Sequence, residues 1–409
     1  MSRQVSLLFT TVVAALLGTA CSKKEEKAAE PAATTEQAQQ AAAAPEKKEI
    51  KLGQIMPYSG PASAYGTIGK LHTAYFAKIN KEGGLNGRLI NLISLDDGYA
   101  PPKAVEQVRK LVEQENVLAV FNAVGTPSNT AIQKYLNQKK IPHLFAATGA
   151  TKWNDPKNFP WTIGFNPSYH REGETYAKHI LKHNPKAKIA VLYQNDDFGK
   201  DVLAGLKAGL GDAAKQIVAE STYEVSDPTI DSQIVTLKAS KADVFINVST
   251  PKFAAQAIRK VSDVGWKATQ YVANVGSSVG AVLIPAGLER AKGLMTVQYF
   301  KDPTDKAWDN DPAMQEYKAF LASNFPEGNI KDGINAYAFI TAQTLIQVLK
   351  QCGDDLSPAN IMAQATALKD FQPGLLYPKV KINTSPTDFE PIDELEIAKF
   401  DGEKFVITE

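Results

Sequence analysis

The chain has 409 residues, of which 44% are hydrophobic and 22% charged, with a formal net charge of +1. That length exceeds what one core normally holds and argues for about two domains of ~100–200 residues each. The near-neutral balance excludes bulk attraction to nucleic acid or anionic lipid, so no nucleic-acid partner is expected and partners must be sought at local sites.

Residues 1–21 read as a targeting segment. Arg3 precedes an apolar run from Val5 to Leu17, well short of the ~20 residues of a membrane span. The run ends in "LLGTAC", which resembles a bacterial lipoprotein cleavage site and predicts Cys21 as the lipidated first residue of a mature, membrane-anchored chain. Gly18 stands where such sites usually carry leucine, and a cut but unlipidated signal is the alternative. The only other cysteine is Cys352, so no intrachain disulfide is expected. Nothing beside Cys352 in the sequence would activate a thiolate, and burial as a small hydrophobe is predicted.

Residues 22–49 contain no Val, Ile, Leu, Met or aromatic residue. Such a segment buries too little surface to offset the cost of ordering, and it is predicted to be a disordered tether spanning about 30 Å.

From Ile50 the pattern changes to short apolar runs alternating with amphipathic stretches. Strands are predicted at 50–56, 88–95, 117–122, 141–146, 188–193, 217–224, 243–248 and 270–275, with helical segments such as 67–84, 102–115 and 251–265 between them. Such alternation predicts an α/β fold with parallel sheets covered on both faces.

In open parallel sheets, ligands bind beyond the carboxyl ends of the strands, where loops feed helix N-termini. "FNAVGTPSNTA" (121–131) is such a loop: Thr126 is a candidate N-cap, Pro127 suits a first helical turn, and Gly125 allows close approach to the backbone. Free N–H groups there attract a carboxylate without a Lys or Arg opposite it; an ordinary capped helix is the alternative. "FAATGATKW" (145–153) offers a second such loop with Thr148, Gly149, Ala150 and Thr151. "YQNDDFGKD" (193–201) reads as a helix start in which Phe198 either staples the core or walls a cleft.

Several stretches, among them "IKLGQIMPYSGPASAYGTIGK", "INKEGGLNGRLINLISLDDGYAPPKAVEQVRKLV", "GATKW" and "IAVLYQNDDFGKD", resemble the periplasmic leucine/isoleucine/valine-binding protein family, the type I solute-binding proteins of ABC importers. The resemblance implies two Rossmann-like lobes joined by three hinge strands. It places lobe 1 at 49–168 plus 293–371 and lobe 2 at 169–292 plus 372–409, with hinges near Phe165–Pro167, Arg290–Gly293 and Phe371–Gly374. It also implies a monomer that closes on a small solute and passes it to an inner-membrane permease, without a cofactor.

Carried over by position, the resemblance puts Tyr65 over the ligand and Gly125, Thr126, Gly149, Ala150 and Thr151 around its carboxylate. Phe198, Thr250 and the Val275/Gly276 turn would come from the second lobe. Two positions depart from a leucine-type binder: Gly125 replaces a serine hydroxyl, and Val275 or Gly276 replaces the glutamate that pairs with the α-ammonium. Removing one partner of a buried charge pair costs ~3–5 kcal/mol, so an organic acid lacking the amine is expected to fit better than a branched-chain amino acid. Glu224 and Asp227 are the acids in reserve.

Other classes fare worse. "GSSVG" (276–280) matches a nucleophile pattern, but all five histidines, His72, His143, His170, His179 and His183, precede Ser278, against the hydrolase chain order of Ser, acid, His. His179 and His183 share a helix face without a third metal ligand at motif spacing, so no metal is expected. A sensor built on the same fold, signalling to a membrane partner, stays open as the alternative to import.

Overall fold

The structure is a computed structural model that describes residues 49–408. The predicted leader, Cys21 and all but the last residue of the tether lie outside them.

The first five strands are β1 (Ile50–Met56), β2 (Ile90–Asp96), β3 (Ala119–Phe121), β4 (His143–Ala146) and β5 (Thr162–Gly164), paired in parallel in the order β2-β1-β3-β4-β5. Helices α1 (Gly66–Lys81), α2 (Pro101–Glu113) and α3 (Thr126–Lys139) alternate with them. β1 is nearly all buried because both faces are covered: Ile55 joins Ala104, Val108 and Leu111 of α2, while Leu52 and Met56 join the core beneath α1.

The second sheet begins after α4 (Tyr169–His183), with β6 (Ile189–Gln194), β7 (Ile217–Tyr223), β8 (Val244–Val248), β9 (Thr269–Val272) and β10 (Met295–Gln298). Its helices are α5 (Asp197–Leu210), α6 (Asp231–Ala239), α7 (Pro251–Asp263) and two short turns, α8 (Ile284–Ala286) and α9 (Leu288–Ala291). The chain then runs through α10 (Pro312–Asn324), α11 (Gly333–Cys352) and α12 (Pro358–Ala365) and ends in the antiparallel pair β11 (Glu396–Phe400) and β12 (Phe405–Ile407). The strand order is β12-β11-β10-β9-β8-β6-β7. Most of α11 is buried, with Phe339 and Leu345 in the first-lobe core, and Cys352 is buried as predicted.

Three crossings join the lobes. The first lies between Phe165, packed in the first core, and Tyr169, packed in the second. The other two lie later than residues 293 and 371. β10 is hydrogen-bonded to β9 and β11, so the chain leaves the second lobe after Gln298, and Tyr299 is the first residue back in the other core. Leu375, Tyr377, Ile382 and Ile392 also pack in the first core, which carries the third crossing to about residues 393–395. The boundaries at 293 and 371 are implied by the resemblance; strand pairing and side-chain burial put these crossings later.

Candidate functional site

Between the lobes lies a cleft of about 880 Å³, open mouth included. Its wall is built from helix beginnings. Tyr65 occupies the N-cap position of α1, Gly125 that of α3 and Thr250 that of α7; Tyr169 opens α4, Phe198 lies in the first turn of α5, and Gly333 and Ile334 open α11. Six N-termini thus face one space. Ser168, Asp196 and Asp332 cap α4, α5 and α11 with their side chains, whereas α1, α3 and α7 have no side-chain cap, and the partial positive charge of those uncapped starts favours an anion.

The rest of the wall is aromatic. Tyr65, Tyr99, Tyr169, Phe198, Tyr299, Phe300 and Tyr337 all border it. Phe198 stands 4.7 Å from Tyr169 between ring centroids, and Tyr337 accepts from Asn122 while donating to Asn166, each at 3.0 Å. Burial pushes the phenols of Tyr65, Tyr99 and Tyr169 well above their ordinary range, so they stay neutral at any physiological pH.

Charged side chains on the wall are Asp302 and Lys331. Asp302 is buried and spent: Thr304 donates its N–H and hydroxyl to one carboxylate oxygen, and Phe405 N–H donates to the other. Lys331 is exposed. Neither reserve acid reaches the cleft, for Glu224 accepts from Asn195 and Asp227 accepts from the Glu224 N–H.

Contacts from lobe to lobe close the cleft. Tyr65 Oη donates to Val275 O at 2.9 Å, Ser278 Oγ to Asp332 Oδ1 at 2.7 Å, and Gly280 N to Lys331 O at 2.7 Å. On the other side Thr151 donates both N–H and hydroxyl to Asp201, and Lys152 pairs with Asp197 at 3.0 Å. These contacts hold the two lobes together across the cleft.

Of the residues read from sequence, Tyr65, Gly125, Phe198 and Thr250 line the cleft, joined by Val275. Thr126, Gly149, Ala150, Thr151 and Gly276 do not. Gly125, rather than Thr126, is the N-cap of α3, and Thr126 turns its hydroxyl onto Thr148 at 2.7 Å. Gly125 has φ +100°, and a Cβ there would lie 2.3 Å from the Tyr99 ring: its bareness admits a side chain of the protein, not the ligand that the sequence suggested. Gly149 is pinned under Pro167, whose carbonyl oxygen would lie 2.1 Å from an added Cβ. That contact turns Gly149, Ala150 and Thr151 into a separate recess beside Phe389 and Glu390. Gly276 packs against Ser249, whose carbonyl oxygen would lie 2.3 Å from an added Cβ.

Sequence reasoning missed Tyr99, Tyr169, Tyr299 and Tyr337, which reach the wall from segments far apart in the chain. An aromatic residue just after a strand end, as in "DDGYAPP", was a usable signal for Tyr99. Ser278 is committed to Asp332 and also accepts from Ala281 N–H as a helix cap. His179 bonds the Tyr271 hydroxyl at 2.7 Å, and among the described residues no cluster of His, Cys, Asp and Glu could hold a metal ion. No described helix is long and apolar enough to cross a membrane.

Two parallel sheets that direct their strand-end loops and helix starts at one enclosed cleft define a bilobed ligand-capturing protein. The chain belongs to the periplasmic binding protein family, whose model matches residues 49–404, a family of ligand binders rather than enzymes. A Leu/Ile/Val-binding protein homolog from Brucella abortus is 24% identical over 344 residues, covering 81% of this chain and 84% of its own. The fold matches a branched-chain amino acid ABC transporter structure from Thermus thermophilus with bound valine, with a TM-score of 0.77 at 15% identity over 89% of this chain and 96% of the other. It also matches an ABC transporter solute-binding protein from R. palustris in complex with benzoate, with a TM-score of 0.73 at 20% identity over 88% of this chain and 95% of the other.

Proposed function

We propose that this chain is the lipid-anchored, extracytoplasmic solute-binding component of an ABC importer, and that it captures a small aromatic or aliphatic carboxylate. The observation that carries the reading is the convergence of six helix N-termini on an aromatic cleft whose one acid, Asp302, is already saturated by its own neighbours. Such a wall stabilises a carboxylate and gives an α-ammonium no counter-charge. The benzoate complex of a protein of the same fold supports an organic acid; the Leu/Ile/Val-binding relatives and the valine complex support the wider class of small carboxylates.

Capture works by closure. Ligand contacts from both lobes stabilise the closed form, and only that differential affinity shifts the equilibrium between open and closed states. The permease then receives the closed complex. Lipidation at Cys21 and a tether through residue 49 keep the receptor near the membrane.

The test is calorimetric titration of protein stripped of ligand by unfolding and refolding. Benzoate or 4-methylpentanoate should bind at micromolar concentration or below, at least ~10-fold tighter than leucine. Tight leucine binding with weak binding of the acids would overturn the carboxylate reading. For the anchor, Cys21→Ala should move the protein from the membrane to the soluble fraction; unchanged partition would exclude lipidation there.

A further inference from the structure

Thr250 occupies the N-cap of α7 and lines the cleft, yet its side chain accepts no hydrogen bond from the helix it begins. An N-cap threonine normally spends a lone pair on its own first turn. Here the oxygen's acceptor capacity is free, and the surroundings fix where its proton goes.

The fixing starts at Asp196. Its Oδ2 accepts from Gln194 Nε2 at 2.6 Å, which sets the amide orientation and turns Gln194 Oε1 the other way. That oxygen accepts from Tyr223 Oη at 3.0 Å and from Thr250 Oγ1 at 3.3 Å. Tyr223 Oη, its proton committed to Gln194, accepts the Thr250 N–H at 3.1 Å and lies 3.4 Å from Thr250 Oγ1. Both neighbours of the Thr250 hydroxyl are therefore acceptors toward it. Gln194 and Tyr223 are buried, which shields the bonds that orient Thr250 from water.

We propose that Thr250 is the selectivity residue of this cleft: its hydroxyl is held as a hydrogen-bond acceptor, and it selects carboxylic acids that also carry a neutral hydroxyl donor reaching the second lobe. Asp196 and Gln194 are positioning residues that act through it. The inference rests on the carboxylate reading above and narrows it to hydroxy acids. A site built to bond a ligand hydroxyl rejects the analogue lacking it, because a buried polar group is then left unpaired.

The experiment measures dissociation constants of the full-length chain for matched pairs: benzoate with 4-hydroxybenzoate, 3-phenylpropanoate with 3-(4-hydroxyphenyl)propanoate, and 3-methylbutanoate with its 2-hydroxy derivative. At least one hydroxy acid should bind about tenfold or more tighter than its partner. Thr250→Val should reduce that ratio to about threefold or less, and Thr250→Ser should restore it. Because Thr250 caps nothing, the valine variant keeps the helix start intact. Asp196→Asn, still a competent cap for α5, should lower the ratio by freeing the Gln194 amide to turn. Ratios near one in every pair, or a ratio that survives Thr250→Val, would overturn the inference while leaving the carboxylate reading standing. Failure of all six acids to bind would overturn both.

Discussion

The phenol of Tyr65, at the head of α1, donates to the carbonyl oxygen of Val275 across the cleft at 2.9 Å. One bond from a residue that also lines the ligand space joins the two lobes, so capture and closure share a side chain. Tyr65→Phe removes the donor and leaves the ring. A hydrogen bond of this kind contributes about 1 kcal/mol, so ligand affinity should fall about fivefold, with a larger radius of gyration by small-angle scattering at subsaturating ligand. Unchanged affinity and radius would show that closure does not use this bond.

Gly125 fails differently. Alanine there must hold φ near +100° and place its Cβ 2.3 Å from the Tyr99 ring, so the ring must leave the wall. Gly125→Ala should weaken binding at least ~10-fold and lower the melting temperature, both measurable on one preparation by titration and calorimetry. A variant with native affinity would mean that Tyr99 is dispensable to the cleft.

The outer clasp is expected to be weaker. Asp201 accepts two bonds from Thr151, and Lys152 faces Asp197 with both side chains partly exposed. Exposed pairs contribute ~0–1 kcal/mol. Asp201→Ala should therefore reduce affinity several-fold, and Lys152→Ala about twofold or less, the latter vanishing at high salt. The reverse ranking would move the weight of closure to the ion pair.

Glu172 gives the pH dependence. Burial pushes its carboxyl up to about 7, although Tyr176 Oη at 2.6 Å and Asn274 N–H at 2.8 Å both donate to Oε1. The folded state therefore binds a proton that the unfolded state, with an ordinary glutamate, releases near 4.5. Stability contributed by this group is present below about pH 4.5 and is lost as pH rises through about 7, by up to about 3 kcal/mol at 1.36 per unit. Glu172→Gln keeps an acceptor at Oε1 and cannot ionise, so its stability relative to wild type should rise across that window in chemical denaturation. The comparison isolates Glu172 from buried His72 and His143, whose lowered values, about 3 each, act in the opposite sense. A difference independent of pH would refute the assignment.

The periodicity of the chain carried the parallel sheets well. Strands β1 to β4 and β6 to β9 all overlap predicted runs; β1, β3, β4, β6 and β8 are nearly continuous buried apolar runs, and β7 at the sheet edge alternates instead. β5 and β12 were illegible at three residues each, β10 lies directly after the short turn of α9, and β11 follows a long irregular stretch without an alternating pattern. At the site, Phe198 was readable from local loop chemistry, whereas Thr250 came only with the family resemblance. Thr151 was not, since its clasp on Asp201 depends on how the lobes meet, and no local pattern records that. Tyr299 and Tyr337 share a wall with Tyr65 only after the chain has crossed between lobes and returned.

That return has a cost in assembly. The first lobe sets α1 against α11, more than 250 positions along the chain, and fills its core with residues as late as Ile392. Contacts so distant in sequence slow folding, because long loops must close before burial compensates. A ribosome-bound or truncated chain ending before residue 333 lacks the helix that backs α1, so this lobe matures only once almost the whole polypeptide is free.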